Sequence, residues 1–599
     1  MSHLVGVSSE LEPCVRALHS ASASLLYRRW CRGSPVKYNR LHFESSDTRP
    51  VVLYGVPEKP QIISPFFLSF LTSLGQSPAP LFALMDKLAA LPNNTHPTWW
   101  KDPGLRKNFL AATVCYFGSF ALGYDGSYLN TCQSLPTWQR YFNHPTGTRL
   151  GLFSASAYLP SLVLLPLFSL SCDRLGRRIS AAIGAVLVIA GAILGALAKN
   201  EAMLIAGRVL VGTPGSLLVL GANLLLNEIL HPRLRSIGGA LFLTAYYVGS
   251  TVAAWTGYGV VDESLGEWSW RLVTLLQCLG PIIFLAGLFT VVPESPRWLI
   301  ARGRREEAHK ILATYHANGK MDDALVLREL EEIEEAIDRE TTNKQGFTSF
   351  LATPGNRHRL LIVATVACGS QTNGVSLFSY YLSPVLNTIG VTSARQQTSI
   401  NGGLNIYNLF LALFGALTCE KFGRRKLWIG ATATMLAGYT CLIALSATYD
   451  KTQSAGLGYG VIAFIFVCFG AYDVAWTPLS FSYATEVLPY SLRAPGMALF
   501  VWLQNVTQVF NQFVNPVGLD AIGWKYYFLF WSILIFLLVI IVWKFPETKG
   551  RTLEEVALIF DGENALGDAP HAEHELEKGS SPKSTFQHVE DSEKDKSSI

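Results

Sequence analysis

Three ionisable residues stand in surroundings that are otherwise apolar: Asp125 within residues 108–129, Arg208 within 203–227 and Asp473 within 457–484. If those runs lie in lipid, a charge at their centre costs at least ~2.5–3.5 kcal/mol, so each such group faces a partner or a watery cavity and is read as functional. Packing against a neighbouring helix is the plainer reading of Asp125. A carboxylate that alternates between a watery vestibule and an arginine can take up and release protons, because burial favours the neutral acid and the cation favours the carboxylate. That is the chemistry a proton-coupled carrier needs. Nothing assembles an enzyme around these groups: there is no Gly-rich phosphate loop, no metal-ligand spacing, and no Ser/His/Asp set in a soluble domain. No cofactor and no metal site are expected. The ten cysteines show no CxxC or Cys/His spacing, and Cys115, Cys278, Cys368, Cys419, Cys441 and Cys468 fall in apolar stretches as small core hydrophobes.

The elements that must position such groups are membrane helices. Of 599 residues, 50% are hydrophobic and only 15% charged, with a mean hydropathy of +0.27. Soluble chains carry about 25% charged residues, so this one has too little polar surface for water. A span needs about 20 predominantly apolar residues. Twelve candidates lie near 108–129, 150–171, 179–198, 203–227, 237–260, 271–292, 359–384, 401–419, 427–447, 457–484, 495–518 and 523–545. The polar stretch 293–358 divides them six and six. Its charges, Arg304, Arg305, Glu306 and Glu307 and then Glu329, Glu331, Glu332, Glu334 and Glu335, fit a solvated amphipathic helix pair. The expected architecture is an all-α integral membrane protein. An N-terminal extension, 1–107, is mostly disordered; six-helix bundles at 108–292 and 359–545 flank a cytoplasmic helical linker, 293–358; and a disordered tail fills 546–599.

The formal net charge is +4, yet residues 551–599 hold twelve acids against five bases, so the basic excess belongs to the apolar part. No basic run interleaved with aromatics lies outside the apolar segments, which sets nucleic-acid binding aside. Lys and Arg gather instead in alternate loops: Arg174, Arg177 and Arg178; Arg233 and Arg235; Lys421, Arg424, Arg425 and Lys426. That side is expected to be cytoplasmic, with both termini on it. Asp173-Arg-Leu-Gly-Arg-Arg178 returns as Glu420-Lys-Phe-Gly-Arg-Arg425, Glu228 with Arg235 returns as Glu486 with Arg493, and Pro293-Glu-Ser-Pro-Arg297 is echoed by Pro546-Glu-Thr-Lys-Gly550. The echoes share a spacing of about 250 residues, which marks a tandem duplication of the kind that builds carriers with one central site.

Together with Gly123-Tyr-Asp125, these motifs resemble the sugar porter family of the major facilitator superfamily over about residues 98–555. Tyr380-Tyr-Leu382, Trp476-Thr-Pro478 and Glu486-Val-Leu-Pro-Tyr-Ser-Leu-Arg493 are similar to its fungal lactose-permease and hexose-transporter branch. The resemblance implies a proton-coupling pair at Asp125 and Arg208, and because facilitative members tend to lack the acid, symport. Asp473 falls where the family often has an acid in helix ten, with a structural or a gating role equally open. A polyol needs donors and acceptors lining a cavity, with aromatics against the sugar face. Helix seven offers Gln371, Asn373, Ser376, Tyr380 and Tyr381, helix eight Asn408, and helix eleven Gln504 and Asn505, with Asn511 and Asn515 beyond them. Interhelical hydrogen bonds, about 0.6 kcal/mol each, are the alternative for these groups. Ser370 and Ser376 replace a glutamine and an asparagine of the family's helix-seven motif. Leu243 stands where the family has Gln or Asn, and Phe481 where many members have tryptophan. The pocket is expected to be less polar than that of a standard hexose carrier.

A cytoplasmic gate is expected from Asp173, Gly176, Arg177, Arg178, Glu228, Arg235, Glu294, Arg297, Glu420, Gly423, Arg424, Arg425, Glu486 and Arg493, the acids pairing with Arg178, Arg235, Arg425 and Arg493 across the two halves. Such exposed pairs are each worth about 0–1 kcal/mol, a size that suits a reversible latch. The implied function is uptake of a mono- or disaccharide with protons by alternating access, in a monomer embedded in the lipid bilayer of the plasma membrane. A non-transporting sugar sensor, or a carrier of quinate, inositol or another polyol, remains the alternative. Residues 1–84 mix Arg28-Arg29-Trp30, Cys31 and a proline-broken apolar run, and are expected to be an extension unrelated to transport, with Met85 as the working initiator.

Overall fold

The structure, a computed structural model, describes residues 94, 96, 99–342, 346–549 and 553–561. The extension 1–84 with Met85, and the tail beyond 561, lie outside the described residues. Among the described residues all regular structure is helical. The first six spans are Pro103–Gln133, Gly147–Ala155 with Ser161–Leu175, Arg177–Ala196, Glu201–Ile229, Arg235–Gly259, and Trp268–Leu275 with Leu279–Thr290. The next six are Pro354–Thr372 with Val375–Thr388, Ala394–Phe422, Arg424–Thr452, Ala455–Val487, Tyr490–Ile522 and Tyr527–Lys544. Seven described stretches are long and apolar enough to cross a membrane by composition alone, and one of them, Ser491–Lys544, holds two spans. The second span, whose two helices are each too short, is absent from those seven, and so are the first, fifth and eighth. The last three carry polar side chains, such as Asn130, Gln133, Ser250, Asn401 and Asn405, that meet between the two halves.

Three spans expected as continuous helices are broken, each for a local reason. In the second, the chain turns before Ser161 at Pro160, which has no N–H to continue the first helix. In the sixth, a 3-10 turn at Leu276–Cys278 precedes Pro281, whose ring would clash with the carbonyl of Gln277 in a regular helix. In the seventh, Gly374 adopts φ +95° between the two helices. Asp102 caps the first span, its carboxylate accepting from the backbone N–H of Gly104 at 3.0 Å and Leu105 at 3.1 Å.

The two halves pack differently. The first-half core is built on small residues, among them Ala111, Ala181, Ala185 and Ala222, which let the first, third and fourth spans approach closely. The second is aromatic, with Trp428, Tyr439, Trp476 and Tyr483 fully buried. The linker forms helices at Pro296–Ala301, Arg305–His316, Ala324–Thr342 and Ser349–Ala352. His316 fastens it to the end of the fourth span: its Nε2 meets the Ile229 carbonyl at 2.8 Å and its Nδ1 meets Glu329 at 2.5 Å. A last helix, Leu553–Asp561, is held on the seventh span by a bidentate pair from Arg359 to Asp561 at 2.9 and 2.6 Å.

Candidate functional site

Asp125 sits near the end of the first span and Arg208 near the start of the fourth, and the fold brings them together. Arg208 Nη1 donates to Asp125 Oδ1, with both side chains almost wholly buried. The Gln277 amide also donates to Oδ1 at 2.9 Å. Gln277 belongs to the 3-10 turn of the sixth span, so the distortion forced by Pro281 places it there. The Arg208 guanidinium lies over the Tyr128 ring at 5.2 Å. The turn carrying the acid is pressed against the fifth span: a Cβ on Gly123 would stand 1.8 Å from the Tyr246 carbonyl oxygen, and one on Gly126 2.3 Å from the Tyr246 hydroxyl. Only glycine lets the helix carrying Asp125 come so near.

Next to this pair, two tyrosines meet across the halves, the Tyr158 hydroxyl 3.3 Å from that of Tyr380. Both lie in the field of Asp125, and the Gln508 amide reaches Tyr380. Gln133 donates to the Tyr380 carbonyl at 3.0 Å. Asp125 Oδ2, Gln133 Oε1 and Gln508 Oε1 are buried oxygens with no donor among the described residues. Buried polar atoms are normally paired, so these acceptors beside two hydroxyls are candidates for meeting donors on a bound polyol.

The other expected cavity residues divide. Gln371 keeps a half-buried side chain with no hydrogen bond among the described residues, while its carbonyl accepts from Ser376 at 2.9 Å and from Asn511. Gln504 donates to Ser370 Oγ at 3.0 Å, and Asn505 to the Val501 carbonyl at 2.9 Å, its oxygen remaining available. Asn373 is buried and its amide serves the break in the seventh span, Oδ1 accepting from Val375 N at 3.1 Å. Tyr381 is also fully buried, and its hydroxyl donates to the Gln512 carbonyl inside the second half at 2.6 Å. Asn408, with its amide nitrogen turned to the acid, donates to Asp473 Oδ2 at 3.1 Å.

At the end bearing the Gly-Arg-Arg loops, the pairing differs from the expected cross-half latch. Arg177 binds Glu228 at 3.1 Å and Asp173 at 3.5 Å, and Arg424 binds Glu486 at 3.1 Å, each within one half. Arg178 donates to the Leu288 carbonyl at 3.1 Å and Arg425 to that of Val542 at 2.7 Å. Arg235 stands 3.9 Å from Glu329 of the linker, and Arg493 makes no ion pair among the described residues. The Glu420 side chain lies outside what is described, and Arg297 has contacts of its own. The reason is geometric. Gly176, at φ +97° and ψ 160°, and Gly423, at φ +89° and ψ 150°, turn the chain so that the next residue starts a helix with its guanidinium towards a neighbouring span of the same half.

Two carboxylates that the motifs share complete each turn. Glu294 accepts from the Arg178 backbone N–H at 3.3 Å, and Glu547 from those of Arg424 at 2.9 Å and Arg425 at 3.1 Å. Ser295 donates to Glu228 as Thr548 donates to Glu486. The described hydrogen bonds between the halves gather towards the opposite end, where Ser383 N meets Asn130 at 3.2 Å and Asn401 meets Ser127 at 3.2 Å.

Sequence reasoning omitted Tyr158, Tyr246, Tyr247, Gln277, Gln508 and Glu547. The repeat spacing pointed at Glu547 as the counterpart of Glu294. The others are single polar residues on apolar helices and carry no pattern.

The profile described as "Sugar (and other) transporter" matches residues 111–560. A high-affinity glucose transporter of Kluyveromyces lactis is 30% identical over 486 residues, 76% of this chain and 85% of that relative. H(+)/hexose cotransporter 2 of Parachlorella kessleri is 26% identical over 76% of this chain and 86% of its own length. Among solved structures, the inward open conformation of the xylose transporter XylE from E. coli superposes with a TM-score of 0.63 at 23% identity, over 76% of this chain and all of that one.

Proposed function

This chain belongs to the sugar (and other) transporter family, a family of multi-pass membrane carriers rather than enzymes, and we propose that it takes up a sugar together with a proton by alternating access. The observation that carries this reading is the buried Asp125–Arg208 pair beside the Tyr158–Tyr380 contact, with Asp125 Oδ2, Gln133 Oε1 and Gln508 Oε1 lacking donors among the described residues. A sugar supplies hydroxyl donors to such oxygens, and a proton on Asp125 would release Arg208. Gln371, Gln504 and Asn505 offer further polar groups from the second half, while Ser376 donates to the Gln371 carbonyl and Asn408 turns to Asp473. Asn373 and Tyr381 hold the shape of the seventh span. Relatives named for glucose and for proton/hexose cotransport support the substrate class and the coupling.

The Arg-rich end reads as cytoplasmic, with both termini on that side of the plasma membrane, and the single chain is the working unit. The conformation then faces the cytoplasm, because the bonds between the halves close the other end. Asp173, Gly176, Arg177, Arg178, Glu228, Glu294 and their second-half counterparts brace each half as a rigid body that rocks about the site.

The test is uptake into proteoliposomes of labelled D-glucose, D-galactose, D-xylose, lactose, quinate and inositol, under an imposed inward proton gradient. Accumulation of at least one sugar, abolished by a protonophore, is expected. Transport of quinate or inositol alone, or sugar binding without any flux, would overturn the reading.

A further inference from the structure

A second carboxylate lies buried at the centre of the tenth span, where it touches both halves. Asp473 is fully buried, and among the described residues it forms no ion pair. All of its described donors are neutral. Tyr247 of the fifth span, in the first half, donates its hydroxyl to Oδ1. Thr477, one turn along, donates to the same oxygen at 2.9 Å, and Asn408 of the eighth span reaches Oδ2. The eighth and tenth spans are close enough for this because Gly415 sits against the backbone of Asp473 and Val474. The titratable groups facing the acid are tyrosines: Tyr246 and Tyr247 on the fifth span, Tyr407 on the eighth and Tyr472 on its own.

Tyr246 and Tyr247 are consecutive residues, yet they address different acids. Tyr246 lies across the glycines that flank Asp125, and Tyr247 binds Asp473. One turn of the fifth span therefore touches the turn carrying the acid of the first half and bonds to the acid of the second. When the halves move, the Tyr247–Asp473 contact is one they must slide past. A carboxylate that loses a donor in a dry interface is destabilised far more than a neutral acid that loses the same donor. The neutral acid is also satisfied at either end of the movement, because it carries a donor of its own.

We propose that Asp473 is a second proton-binding residue of the carrier, a positioning group whose protonation permits the halves to reorient across the Tyr247 contact. This rests on the proposed transport cycle, and it assigns Asp125 and Asp473 separate work. Asp125 ties the proton to accumulation, and Asp473 sets how fast the loaded carrier turns over as pH changes.

Two measurements test it on the purified full-length protein. Infrared difference spectroscopy against pH reads protonated carboxyl groups without any substrate. A titrating band present in the wild type and in Asp125→Asn but lost in Asp473→Asn is expected, and Asp473→Asn retaining every titrating band overturns the proposal. The second is equilibrium exchange of the best-carried sugar of the panel, with equal pH on both sides. Wild-type exchange should fall about tenfold per unit on its alkaline limb, the slope of one proton, and Asp473→Asn should flatten that limb. Tyr247→Phe removes one donor to the carboxylate, so the acid keeps its proton to higher pH and the limb moves up by roughly one unit. Equal slowing of both variants at every pH, or an unchanged limb in Asp473→Asn, would mean the contact only holds the helices in place. Absence of exchange for every sugar would instead count against the transport reading, and the infrared result would still decide the role of Asp473.

Discussion

Replacing Asp125 by Asn separates the proton from the fold. The amide keeps the size of the carboxylate and an oxygen that can accept from Arg208 Nη1 and the Gln277 amide, but it cannot bind and release a proton. One charge crossing 100 mV is worth about 2.3 kcal/mol, a concentration ratio of about fifty-fold per proton, and the variant should fall from that ceiling to unity. The structural cost runs alongside. Arg208 is 4% exposed, and leaving such a cation without its partner costs about 3–5 kcal/mol. A retained hydrogen bond to a charged group offsets about 1.5–3 kcal/mol of that, so a net loss of about 2 kcal/mol is expected. The thermal midpoint in detergent should drop in Asp125→Asn and recover in part in Asp125→Asn with Arg208→Gln, where no buried charge is left alone. Neither protein should concentrate sugar in proteoliposomes under an inside-negative potential, while exchange of labelled for unlabelled sugar continues. Protonophore-sensitive accumulation by Asp125→Asn would refute the assignment outright.

His231 makes the junction of the fourth span and the linker sensitive to acid. It is fully buried against the His316 ring, and desolvation, followed by the charge of His316, brings its pKa down to about 3 from 6.5. The unfolded chain binds this proton below about pH 6.5 and the folded chain only near 3, so folded-state stability falls as pH drops through that window, by up to about 1.4 kcal/mol per unit. Thermal melts of wild type and His231→Gln should therefore differ less at about pH 5.5 than at about pH 7.5, and a constant gap would remove this linkage. Gly176→Ala and Gly423→Ala each force a side chain into a backbone region open almost only to glycine, at roughly 1–3 kcal/mol, with the new Cβ at 2.6 Å from Glu294 or 2.8 Å from Glu547. Both should lower membrane levels and uptake together, as surface labelling with a transport assay would report. Arg359→Ala cuts both bonds to Asp561. Faster amide exchange confined to Leu553–Asp561, with the spans unchanged, is the expected readout.

What the chain determines by itself is the part that depends on solvent and periodicity. A composition so poor in charge, runs long enough to cross lipid, and arginines in alternate loops are statements about transfer between water and lipid, and these hold residue by residue. The repeated Gly-Arg-Arg and Pro-Glu motifs were equally legible, since a duplicated sequence announces a duplicated fold. The polar contacts were not. Whether Asn373 lines a cavity or stabilises a break, and whether Tyr381 faces substrate or Gln512, turns on a few degrees of helix rotation that no periodicity encodes. The arginine pairs stayed within their halves because the backbone at Gly176 and Gly423 aims the following side chain, a matter of φ and ψ that the letters alone do not reveal. The path from Asp125 through Tyr246 and Tyr247 to Asp473 joins three spans from two halves. Its parts are far apart in the chain, and only the packing of one helix against two others makes them neighbours.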